Sequence, residues 1–100
     1  MMQSHARIAT DKAARYMTQL ARHWSHKFEV ELEEARARIA LPMGTCAMAA
    51  AAGGLTVTVA APAAEELARM ETVVADHLAR FAFREPDLKI EWTRATAAPH

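Results

Sequence analysis

Between Pro62 and Glu85 the larger apolar side chains recur at a helical period, with Leu67, Met70, Val74, Leu78 and Phe81 on one stripe. The spacing predicts a helix over this stretch. Pro62 suits the first turn, where its missing N–H costs nothing, and Glu65 and Glu66 suit the positive end of the helix dipole. A stripe of this width is stable only when it is covered. Most of what precedes it is a series of short alternating runs, so the partner expected is a sheet.

Phe28, Val30 and Leu32 point one way, and Glu29, Glu31 and Glu33 the other. Ala37, Ile39 and Leu41 alternate in the same manner against Arg36 and Arg38. A hairpin turning at Glu34-Ala35 sets Leu32 beside Ala37, Val30 beside Ile39 and Phe28 beside Leu41. On its other face it sets Glu33 opposite Arg36 and Glu31 opposite Arg38. Pro42-Met43-Gly44 and Gly53-Gly54 are the next turn signals. Between them Thr45 to Ala50 sends Cys46, Met48 and Ala50 inward. Leu55 to Ala60 follows with Leu55, Val57 and Val59 inward, which places Cys46 opposite Val59. An earlier helix opens at Thr10, a good N-cap, and runs to about Lys27 with Ala13, Met17, Leu20, Ala21 and Trp24 on one face. A last alternation, Leu88, Ile90 and Trp92 against Lys89, Glu91 and Thr93, predicts a final strand.

The resulting order is α-β-β-β-β-α-β. This is an α+β two-layer sandwich, a mostly antiparallel five-stranded sheet with two helices on one face. The final strand is expected beside the first, giving the strand order 5-1-2-3-4. One domain spans 10–94, residues 1–9 read as a flexible arm, and 95–100 as a disordered tail. The hydrophobic share of 52% is inflated by alanine, so the core rests on a short set of larger residues. The outer sheet face divides into a charged half (Glu29, Glu31, Glu33, Arg36, Arg38) and a small half (Ala40, Ala47, Ala49, Thr56, Thr58, Ala60). The small half is a candidate homodimer interface.

Twelve basic and twelve acidic side chains leave a formal net charge of +0, without a basic stripe, which argues against nucleic acid as a partner. One cysteine excludes an internal disulfide and fits a reducing compartment. No apolar run suits a signal peptide or a membrane span, so a cytoplasmic protein with no membrane partner is expected.

Candidate chemistry centres on a few polar side chains. His23 and His26 are three apart near the end of the first helix, and His77 borders the stripe of the second. If the helices pack side by side the three could share a divalent metal, as a metal-binding protein or a metal-dependent enzyme, although the spacing matches no strong zinc signature. Arg80 and Arg84 are expected on the His77 flank, where they could bind a carboxylate or phosphate or complement the helix dipole. Cys46 points inward and reads as an inert buried thiol rather than a nucleophile. No Gly-rich phosphate loop, Ser/His/Asp arrangement or flavin fingerprint is present, so no catalytic residue is assigned and an enzyme is not the leading reading.

Three stretches together resemble a known family: Ala-Arg-His-Trp-Ser-His-Lys-Phe at 21–28, Met-Gly-Thr-Cys at 43–46, and His-Leu-Ala-Arg-Phe-Ala-Phe-Arg-Glu at 77–85, followed by Trp92. The chain is similar over about residues 7–94 to the bacterial family called domain of unknown function 2218. The matching residues are His23, His26, Gly44, Thr45, Cys46, His77, Arg80, Phe81, Phe83 and Arg84. The resemblance implies a small stand-alone protein. Some members resemble modules fused to, or encoded beside, siderophore-interacting flavin reductases, which implies a link to iron handling and a reductase as partner. It implies no catalytic residues, and any redox chemistry would belong to the partner.

Overall fold

A computed structural model describes residues 2–95. The strand-rich middle forms the hairpins that the alternation dictates. Strand β2 (Glu29–Leu32) pairs antiparallel with β3 (Arg36–Leu41), and Val30 faces Ile39, Glu31 faces Arg38 and Leu32 faces Ala37. The turn is Glu34-Ala35, closed by the Glu33 N–H donating to the Arg36 carbonyl at 2.8 Å. Strand β4 (Gly44–Ala51) follows on β3, and β5 (Gly54–Ala61) on β4, with Cys46 opposite Val59. The β4–β5 turn is two residues, Ala52 and Gly53, and Gly53 takes φ +84°, a conformation open to glycine at no steric cost.

Two helices cover one face. Helix α1 (Ala13–Trp24) buries Ala13, Tyr16, Met17, Leu20, Ala21 and Trp24. Helix α2 (Ala64–Phe81) buries Leu67, Met70, Val74 and Leu78. Each large apolar side chain so buried contributes about 1.5–3 kcal/mol relative to leaving it exposed. Both helices are shorter than the sequence expectation. Thr10 is not the N-cap of α1, because that position falls to Lys12 and carries no side-chain cap. The Thr10 hydroxyl instead accepts a hydrogen bond from the Lys12 N–H at 3.1 Å, just ahead of the helix.

The architecture is the α+β sandwich expected, but the sheet is wider and ordered differently. Residues read as a flexible arm form β1 (Met2–Ala9), which pairs antiparallel with β5 from Met2–Ala61 to Ala9–Gly54. Its buried positions are Ser4, Ala6 and Ile8, so the inward face is too small and too polar to give a visible apolar alternation. The final strand is β6 (Thr93–Ala95), later than expected, and it pairs with β1. The six-stranded sheet therefore runs β2-β3-β4-β5-β1-β6, and the order 5-1-2-3-4 does not form. Because β1 lies beside β5, the chain leaving α2 reaches the sheet at the β1 edge, far from β2. Leu88, Ile90 and Trp92 still pack on the core, but from a segment that forms no strand. The expected tail lies outside the described residues except for Ala95, which ends β6.

Candidate functional site

The strongest concentration of polar and aromatic side chains lies where α1 meets the end of α2. His23 on α1 and His77 on α2 stand with ring centroids 5.1 Å apart, and His77 is 5.0 Å from Trp24. Phe81 completes the group, edge-on to His23 at 5.9 Å. The sequence placed His23 and His77 on helices that had to pack together, and the structure brings them together. His77 Nδ1 lies 2.7 Å from the Val73 carbonyl, one helical turn back, and a carbonyl only accepts. Nδ1 therefore carries the hydrogen, and in the neutral ring only Nε2 keeps a lone pair.

The third histidine does not join them. His26 lies past the end of α1 at Trp24 and is exposed, and no ring contact links it to His23 or His77 among the described residues. Nor do the described residues hold any group of three or more His, Cys, Asp or Glu arranged for a metal ion. The three-histidine metal reading is corrected on this geometry.

Arg80 and Arg84 also separate. Helix α2 ends at Phe81, and Ala82 bonds back to the Leu78 carbonyl as its C-cap, so helical spacing no longer relates position 84 to 77 and 80. Arg80 stays exposed on α2. Beyond the helix end the chain turns, with Glu85 N–H donating to the Ala82 carbonyl, and Arg84 comes round to α1. There it lines a cleft of about 160 Å³ with Lys12, Arg15, Tyr16, Gln19, Phe81 and Phe83. The Arg84 guanidinium lies 5.5 Å from the centre of the Phe83 ring, within cation–π range, and Phe83 is 72% exposed. Sequence reasoning missed Lys12, Arg15 and Gln19. Their signal is positional: they stand at i, i+3 and i+7 on the α1 flank that Tyr16 borders.

A carboxylate fixes the wall of this cleft. Glu85 Oε1 accepts a hydrogen bond from the Thr10 hydroxyl at 2.9 Å and another from the Tyr16 hydroxyl. The bonds from Tyr16 and Thr10 hold the Glu85 carboxyl below its ordinary range. The same bond to Glu85, with burial, raises the Tyr16 phenol. The depressed carboxyl stabilises the fold above about pH 4.5, and that contribution is lost as pH falls through the lowered value. The raised phenol stabilises it below pH 10.0, and that contribution is lost as pH rises through the raised value. Tyr16→Phe should therefore lower the urea midpoint between these limits and flatten both limbs of its pH profile. Identical profiles for variant and wild type would show that the bond carries no stability.

Cys46 lies on β4 with no exposed surface, and burial pushes its thiol up to about 12. A thiol held neutral is a poor nucleophile. Native protein should leave Cys46 unmodified by a thiol-specific disulfide reagent for as long as it stays folded, with full reaction in denaturant. Rapid native labelling would contradict this placement.

The family model and the solved structure point the same way. The family model described as "Uncharacterized protein conserved in bacteria (DUF2218)" matches residues 5–93. The chain is similar to PA4090 from Pseudomonas aeruginosa, whose structure was solved by NMR, with 40% identity and a TM-score of 0.79 over 93% of this chain and 96% of that one. No curated protein matches it. His23, Gly44, Cys46, His77, Phe81, Phe83 and Arg84 all lie within the matched span, and the chain belongs to the DUF2218 family of bacterial proteins.

Proposed function

We propose that the protein is a small cytoplasmic binding or accessory protein whose cleft between α1 and the end of α2 holds an anionic group with an aromatic face. The observation that carries the reading is the charge balance of the cleft. Lys12, Arg15 and Arg84 line it, and none has a carboxylate within ion-pair distance among the described residues, where the salt bridge is Arg94–Glu71. Glu85, the nearby acid, is already engaged by Thr10 and Tyr16. Guanidinium groups pair well with carboxylate and phosphate oxygens, and the exposed Phe83 offers a ring to stack on. A volume of about 160 Å³ suits one ring-sized acid rather than a whole metal chelate.

A catechol carboxylate has this chemistry, which joins the cleft to the siderophore link implied by the family resemblance. On this reading the protein would hold one arm of a siderophore beside a siderophore-interacting reductase, and the reductase would supply the redox chemistry. Isothermal calorimetry with 2,3-dihydroxybenzoate, and with inorganic phosphate for comparison, tests the site. Binding should weaken by about tenfold in Arg15→Ala and again in Arg84→Ala, since each removes a charge-assisted contact. Arg80→Ala should leave it unchanged. No heat of binding, or equal affinity in all variants, would remove the basis of the proposal. A reductase partner is tested by its ferric-siderophore turnover with and without the protein, which should rise with wild type and not with Arg15→Ala.

A further inference from the structure

We infer that the open face of the sheet is the contact between two copies of this chain, related by a dyad running along β4. The helices cover one face only. On the other, the strand registers set outward residues in rows across the sheet. One row reads His5, Thr58, Ala47, Arg38, Glu31, and the next reads Arg7, Thr56, Ala49, Arg36, then Glu33. The face is thus basic along β1, small along β5 and β4, basic again along β3 and acidic along β2. Its charges are not neutralised within the chain: Glu31 and Arg38 are cross-strand partners, yet no ion pair forms on this face among the described residues.

This pattern is self-complementary about one axis. A dyad over β4 and parallel to it lays β2 of one copy on β1 of the other, and β3 on β5. Glu33 then opposes the other copy's Arg7, and Glu31 its His5. Arg36 and Arg38 oppose Thr56 and Thr58, on the far side of a hollow of about 350 Å³ that is floored by Ala47, Ala49, Thr56 and Thr58 and walled on its other side by the chain's own Arg36, Arg38, Glu31 and Glu33. Long side chains meet short ones, and guanidinium donors meet threonine hydroxyls. Ala47 and Ala49 meet themselves at the axis and allow close approach. No other dyad parallel to the strands lays β2 on β1, and two of the alternative arrangements set like charges together. A dyad between β4 and β5 sets Arg36 on Arg7, and one across the strands sets the glutamates on themselves. Like charges so placed disfavour association. With the third row, Gln3, Ala60, Thr45, Ala40 and Glu29, five overlapping strands cover about 500 Å² per copy, near the ~1,000 Å² total of the smallest specific interfaces, so the contact is reversible.

Sedimentation velocity across the micromolar to millimolar range tests this with exposed-residue variants whose fold is checked by circular dichroism. Wild type should dimerise, more weakly as salt rises. Arg7→Glu and Glu33→Arg should each raise the dissociation constant about tenfold or more, because each opposes like charges. The two together on one chain should restore it, and Ala47→Arg, at the axis, should abolish it. A monomer at every concentration, single variants that dimerise as wild type, or a double variant that is not restored would overturn the assignment.

Discussion

Gly44→Ala is expected to destabilise the protein by about 3 kcal/mol or more, or to prevent folding. A Cβ at position 44 would lie 2.0 Å from the Ala60 carbonyl oxygen, 3.0 Å from its carbon and 3.2 Å from the Ala61 Cα. These are backbone atoms in the middle of the sheet, so no rotamer change relieves the contact. Either β4 lifts from β5 at this end or the Pro42-Met43 turn opens. Gly44 is needed for space and not for its dihedral, so Gly44→Ser should be as damaging. Urea denaturation followed by tryptophan fluorescence measures the loss, and an unchanged midpoint would show that the strands separate there at little cost. For a 100-residue chain, with a total stability on the order of 5–15 kcal/mol, this substitution alone removes a large fraction.

Leu20→Ala should cost about 3–4 kcal/mol. Leu20 has no exposed surface and lies on the buried face of α1, within the one core shared by both helices and the sheet. Truncation removes its transfer energy and leaves a cavity that surrounding elements cannot close, because α1 is held against the sheet along its length. Leu32→Ala is the matched control. Leu32 is 41% exposed at the edge strand β2, and its loss should change stability by about 0.5 kcal/mol or less. Equal effects at the two positions would contradict the burial described for α1.

These two residues also mark what could be read without coordinates. Leu20 belongs to a face visible as helical periodicity, and Leu32 to a hairpin whose charge pairs and apolar pairs agree on one register. Both elements form as the pattern requires. The N-terminal strand was not legible because its inward residues are Ser4, Ala6 and Ile8, and two of the three give no apolar contrast. The place of the last strand was not legible either, since it follows from β1 occupying the sheet beside β5. The same holds for the site. His23 and His77 meet because two amphipathic helices must pack side by side. Arg84 leaves Arg80 because α2 stops at Phe81, and helix ends are poorly marked where no glycine or proline enforces them. Lys12 and Arg15 were plain as charges but not as a cleft, because their partner surface comes from residues far along the chain.

A residue-resolved chemical-shift titration of the isotopically labelled protein with 2,3-dihydroxybenzoate tests the central claim most directly. The account predicts saturable shifts confined to Lys12, Arg15, Tyr16, Gln19, Phe83 and Arg84, with Ala47 and Thr58 on the sheet face unmoved. Shifts that fail to saturate, or that centre on Arg36 and Arg38 instead, would contradict it.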